Sequence, residues 1–306
     1  MSKDLSYEDP EAVFLLTCRT MNSRLWFIKN PHLHDRILAF LARYAEWFGV
    51  ILYGFIIMGN HYHLVAKFPR CNKAAFCKAF DSIIAKLTGS LVGNFEGGKV
   101  WGRPVRCQPL GTDADVKHWV FYVALNPVKS GLHKNLSKYP GYNSFKDAIH
   151  GRERKFKIFN REDYNNRKRH NRSLTKEQCM TVHTLKFARL PGFEKMPQER
   201  YERELLQELR QRREILIAER SIEGKGFASQ SFLEALKPGD KPKTTKTSKR
   251  DSKRPLILTM CAATRKRFLE WYFDMREQYR RASARFRAGE LDVVFPPGTY
   301  RPVLLA

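Results

Sequence analysis

Along the first 150 positions, apolar residues recur with two different periods. Residues 13–21 (VFLLTCRTM) are apolar and β-prone, which predicts a first strand. Leu38, Phe40, Leu41, Tyr44 and Phe48 fall three or four apart, which predicts a helix over 33–48. The run 50–58 (VILYGFIIM) reads as a buried strand, and the segment His61-Tyr62-His63-Leu64-Val65 is either continuous with it or paired to it. Phe76, Phe80, Ile83, Ile84 and Leu87 share one face of a helix over 73–91. Residues 101–107 are short and β-like, and Thr112 with Asp115 forms a capping box that opens a helix over 116–125. This order predicts an α+β fold. An antiparallel sheet with helices on one face satisfies it and leaves the other face for a site.

Past residue 150 the pattern changes. Residues 151–172 contain RERKFK and RKRHNR and read as a basic connector. Residues 173–236 read as a helical extension, with a charged amphipathic helix over 198–219 around Tyr201, Leu205, Leu209 and Leu216. Residues 237–255 hold eight Lys or Arg, two Asp and three Pro with almost no apolar side chain, so they read as a flexible basic linker. A final helix is predicted over 262–287, with Phe268, Trp271, Tyr272, Met275 and Tyr279 in one stripe, followed by an extended tail to 306.

Charge narrows the partner. The chain carries 56 Lys and Arg against 31 Asp and Glu, a net charge of +25. A field of that sign concentrates polyanions, and nucleic acid is their commonest form. Six scattered cysteines without a Cys-x-x-Cys fit a reducing cytoplasm. The N-terminus lacks a signal-peptide pattern, and no apolar run reaches the roughly 18 residues of a membrane span. A soluble cytoplasmic protein with no membrane partner is expected.

The chemistry begins at His61-Tyr62-His63. Alternate residues of a strand face one way, so the two imidazoles stand about 7 Å apart and can grip one divalent metal. Taken alone, the pair reads equally well as two ordinary strand histidines. Tyr122 and Asn126 lie one helical turn apart, and Pro127 puts Asn126 at the helix end. His61, His63 and the Asn126 oxygen then make a mixed ligand set for Mg²⁺ or Mn²⁺, with Tyr122 beside it. His118, four residues before Tyr122, competes with Asn126 as third ligand.

Asn60-His-Tyr-His63 followed by Tyr122-Val-Ala-Leu-Asn-Pro-Val-Lys-Ser-Gly131 resembles the IS200-like single-tyrosine HUH transposases, nearest the branch associated with repetitive extragenic palindromes. Arg19-Thr-Met-Asn22, Trp101-Gly-Arg103, Tyr139-Pro140 and Ser144 fit the same order, over roughly residues 10–150. Gly59 departs from the family, which usually has Pro there. The resemblance implies a ferredoxin-like sheet in a catalytic domain over 1–150, with the histidines on a central strand. It implies cleavage and rejoining of single-stranded, hairpin-flanked DNA through a 5′-phosphotyrosine. By position, Tyr122 matches the nucleophile and His61, His63 and Asn126 the metal ligands.

Candidate DNA contacts are Lys129 after the Asn-Pro turn, Trp101 as an aromatic platform with Arg103 and Arg106 around it, and Arg276 and Arg280 on the last helix. The alternative class is a non-catalytic DNA- or RNA-binding protein on the same fold. A plasmid-type nickase or relaxase would usually carry a larger histidine cluster. The sequence leaves monomer and homodimer equally open.

Overall fold

The computed structural model describes residues 5–242 and 255–303. Its central sheet is built from β1 (Val13–Arg19), β2 (Ile51–Ile57), β3 (His61–Lys67) and β4 (Arg106–Leu110), all antiparallel in the order β2-β3-β1-β4. Helices α1 (Pro31–Phe48) and α2 (Lys73–Leu91) connect β1 to β2 and β3 to β4. That β-α-β-β-α-β path with its interleaved order is a ferredoxin-like core.

Local chemistry sets the boundaries. Asn30 accepts a hydrogen bond from the Leu33 N–H and caps α1, which Pro31 begins and Gly49 ends at a left-handed φ of 65°. The single run of apolar residues over 50–65 is two strands of a hairpin, turned at 58–60, so β3 is paired to β2 and not continuous with it.

Alternation sorts the sheet into two faces. Phe14, Leu16, Cys18, Phe55, Tyr62 and Leu64 meet α1 and α2 in one core. The other face carries Val13, Leu15, Ile56 and Val65, and these meet α3 (Asp113–Ala124) through Val116, Val120 and Phe121. The one-sided arrangement expected from the sequence therefore holds for α1 and α2 only. The second face is covered too, because α3 has its own apolar stripe, and the site is confined to one end of that face.

After α3 come a single turn, α4 (Asn126–Lys129), and a short helix, α5 (Phe145–Ile149). Between them, residues 139–144 pair with the open edge of β2. Ile57 N–H donates to the Tyr142 carbonyl at 3.0 Å, Ser144 N–H donates to the Phe55 carbonyl at 2.9 Å, and the Phe55 N–H donates to Ser144 Oγ at 2.7 Å.

The stretch read as a basic connector contains β5 (Arg154–Phe159) and α6 (Arg161–Lys168), and β5 pairs with β6 (Met180–Leu185) in a separate two-stranded ribbon. The high charge conceals a period of two: Phe156 and Ile158 alternate with lysines, and only the apolar side is covered. Past β6 the chain returns to the sheet, where Ala188 N–H donates to the Leu52 carbonyl at 2.7 Å.

Among the described residues three helices follow: α7 (Gln198–Ile222), α8 (Gln230–Ala235) and α9 (Ala262–Arg287). The second half is folded onto the first. Tyr201 and Leu205 of α7 belong to the α3-side core, and Tyr272 and Met275 of α9 to the α1-side core. Of the expected linker, residues 237–242 lie against the body, with Gly239 N–H donating to the Leu25 carbonyl and Leu25 N–H to the Asp240 carbonyl. Residues 243–254 of it lie outside the described residues. Among the described residues, no helix is long and apolar enough to cross a membrane.

Replacing Ser144 with Ala leaves the buried Phe55 N–H without its acceptor. A loss of about 1–3 kcal/mol is expected in urea unfolding. An unchanged midpoint would show that the edge segment contributes nothing.

Candidate active site

The β2–β3 turn delivers both histidines to one end of the sheet. Asn60 carbonyl accepts from the Thr20 N–H at 2.9 Å, and Gly59 carbonyl accepts from the Phe27 N–H at 3.0 Å. An ideal Cβ at position 59 would lie 2.8 Å from an Ile28 methyl and 3.1 Å from a Leu25 methyl, so in this chain the turn is packed around glycine.

His61 and His63 are buried, at 7% and 5% exposure, and their rings stand 4.8 Å apart at 81°. Asn60 Oδ1 lies 2.6 Å from His61 Nδ1, while the Asn60 amide donates to the Ser23 carbonyl at 3.1 Å. A carbonyl oxygen can only accept, so His61 Nδ1 carries the proton and Nε2 keeps its lone pair. His63 Nδ1 meets the Thr17 hydroxyl at 2.8 Å. Both rings are held neutral. Burial lowers the His61 pKa well below the ordinary imidazole range, helped by His63 and Arg19. Burial, then Arg19, brings His63 down to about 3.

Tyr122 reaches this pair from the opposite wall. Thr112 caps α3, accepting from the Asp115 N–H at 3.1 Å. From that start the helix runs to the histidine end and sets the Tyr122 ring 5.7 Å from His63. The Lys129 ammonium sits 4.5 Å from the same ring, and Trp119 packs on it at 4.7 Å. Burial raises the Tyr122 pKa and Arg19 opposes that rise. Asn126 is buried and heads α4, after Leu125 breaks the helix. Among the described residues no hydrogen bond holds its side-chain amide, although its backbone carbonyl accepts from Ser130.

The chemistry of this donor set suits a divalent cation: two neutral, buried imidazoles, one with its tautomer fixed, and an uncommitted amide oxygen one short turn past the tyrosine. Among the described residues no group of three His, Cys, Asp or Glu could hold a metal ion. His118 Nδ1 lies 3.4 Å from Arg212 Nη1 on α7.

Strand register adds two residues absent from the sequence-derived site. Arg19 stands opposite His61, and Thr17 opposite both His63 and Arg106, so Arg106, Thr17 and His63 form one row across β4, β1 and β3. Arg19 and Thr17 reach the histidines through this register alone, which spacing along the chain does not encode. Arg103 is exposed on the approach to β4. Trp101 is turned inward: its indole N–H donates to the Asp81 carbonyl at 2.8 Å and its ring packs 5.8 Å from Tyr62. Arg276 and Arg280 are not brought to the histidines. Their helix α9 packs on Tyr7, before the opposite end of β1, and Arg280 pairs with Glu277 at 2.8 Å.

No protein-family model and no curated protein matches the chain. Among solved structures, it is similar to a REP-associated tyrosine transposase bound to a REP hairpin, at 16% identity and a TM-score of 0.41, over 49% of this chain and 86% of that one. It is also similar to a Deinococcus radiodurans R1 protein described as a candidate transposase, at 17% identity and a TM-score of 0.29, over 39% of this chain and 94% of that one.

The depressed His63 pKa predicts a stability profile. Below pH 6.5 the unfolded imidazole takes a proton that folded His63 refuses until about pH 3. Stability is therefore complete above pH 6.5 and falls through that window, with a slope of up to about 1.4 kcal/mol per pH unit. Urea titrations at stepped pH should show a shallower fall for His63→Gln; equal slopes would contradict neutral burial.

Proposed function

We propose that this chain is a metal-dependent tyrosine transposase that cleaves and rejoins single-stranded, hairpin-flanked DNA. The observation that carries the reading is the pairing of two neutral buried imidazoles with a tyrosine ring 5.7 Å away and a lysine ammonium above that ring. The motif resemblance and the net charge of +25 support the same substrate.

In this reading His61, His63 and the Asn126 oxygen hold Mg²⁺ or Mn²⁺. A bound divalent ion polarises a phosphoryl oxygen and offsets charge developing in the transition state. Asn60 and Thr17 orient the two imidazoles from behind. Tyr122 Oη attacks phosphorus, forming the tyrosyl ester of the 5′ phosphate, while the bond to the 3′ oxygen breaks and that oxygen leaves as a hydroxyl for rejoining. Lys129 and Arg19 supply positive charge at the phosphate and the phenolate. Arg106, in the row of His63, and exposed Arg103 extend that field along the strand. Six free thiols are in keeping with a reducing cytoplasm.

The alternative, a protein that only binds nucleic acid, shares the charge but gives the histidine–tyrosine juxtaposition no use. Incubating the protein with labelled hairpin oligonucleotides and Mg²⁺ or Mn²⁺ should give a covalent adduct stable to denaturing electrophoresis. Tyr122→Phe should abolish it, and His61→Ala should reduce it at least about a hundredfold. Full cleavage by Tyr122→Phe would exclude the mechanism.

A further inference from the structure

The β5–β6 ribbon presents an outer face that carries two lysines among apolar side chains. Its inward pairs, Phe156 with His183 and Ile158 with Thr181, turn toward the body. His183 Nδ1 meets Glu46 Oε2 at 2.6 Å and the Thr184 N–H donates to Glu46 Oε1 at 2.7 Å, which locks the ribbon to α1. The outward pairs are Lys155 with Thr184, Lys157 with Val182 and Phe159 with Met180. Both lysines are exposed, Val182 is 56% exposed and Met180 37%.

Charge around it is one-sided. Residues 152–172 hold nine Lys or Arg against three acidic residues. Arg154 pairs with Asp147 and Arg167 with Asp163, whereas Lys155, Lys157, Arg161, Arg169 and Arg172 have no acidic partner among the described residues.

We infer that this ribbon, with α6 beside it, is a second DNA-binding surface that grips the duplex stem of a structured substrate. The inference rests on the reading of the histidine–tyrosine site as a cleaver of hairpin-flanked DNA. Three features select duplex over single strand. A two-stranded ribbon is one of the elements that the B-form major groove admits. A single-strand groove needs open aromatic platforms, and here Phe159 is half-buried and packed on Tyr164 at 5.4 Å. The location also suits a stem. The ribbon is bound at Glu46 and, through the following chain, at Leu52, beside the end of the sheet opposite His61. Six strand steps from Lys67 to His61 span about 20 Å, or about six base-pair steps of duplex.

The test uses the full-length protein and fluorescence anisotropy without added metal, so that no cleavage is needed. The probes are a stem-loop DNA, its isolated duplex, an unstructured strand and the same duplex as RNA. In Lys155→Gln/Lys157→Gln, affinity for duplex and stem-loop should drop about tenfold and the salt slope should shrink by about two, one per lost phosphate contact. Binding to the unstructured strand should not change. Lys155→Arg/Lys157→Arg should restore duplex binding, which separates lost charge from misfolding. Unaltered duplex affinity in the Gln variant, no duplex binding by the parent protein, or an equal loss on the unstructured strand would overturn the inference. So would RNA duplex binding as tight as DNA and equally dependent on the two lysines, because the A-form major groove is too narrow to read. Duplex binding lost in the variant, with no adduct from the parent protein and the stem-loop in a separate incubation with Mg²⁺ or Mn²⁺, would instead retain the ribbon and reject the catalytic reading.

Discussion

The antiparallel register between β1 and β3 is the constraint on which the site depends. Thr17 opposite His63 and Arg19 opposite His61 put both imidazoles on the face that α3 covers. A slip of one residue would exchange the faces, turning Tyr62 toward α3 and driving the histidines into the phenylalanine-rich core under α1 and α2. Two interactions pin the register. Tyr62 is buried on that far side, where its hydroxyl donates to Asp81 Oδ1 at 2.6 Å. On the near side Thr17 holds His63. The strand is thus anchored through both faces, and the burial that fixes it is also what keeps the imidazoles neutral.

Parts of this were legible in the sequence, and others were not, for physical reasons. The helices at Lys73–Leu91 and Ala262–Arg287 coincide with their apolar stripes, because each lays a continuous face on a core and nothing competes with the 3.6-residue period. The histidine pair and Tyr122 could be read because their spacings are local to one strand and one helix. Thr17 and Arg19 acquire their roles only from pairing across strands, which spacing along the chain does not encode, whereas Asn60 holds the ring of the next residue. The ribbon escaped notice because its outer positions are lysines, so its composition resembled a solvated connector. Trp101 was read beside its arginines as a stacking surface, whereas a buried carbonyl on α2 captures its indole N–H.

The second half of the chain braces the first. Beyond Tyr201 and Leu205, α7 follows the tyrosine helix by way of the Lys117–Glu208 pair at 3.1 Å and Arg212 stacked 4.7 Å from the Phe121 ring. Arg220 then donates to the Lys129 carbonyl at 3.0 Å, just past the Asn-Pro turn. Surface ion pairs of this kind contribute little singly. Here they accompany a buried apolar seam, and together they fix the azimuth of α3.

That bracing has a mechanical consequence. A helix of 25 residues is about 37 Å long, and α7 is tied to its neighbour at points spread over more than three turns. Moving the Tyr122 backbone away from His63 would mean shearing two helices apart. The place of the ring against the histidines is therefore set by how two helices pack, and not by α3 alone.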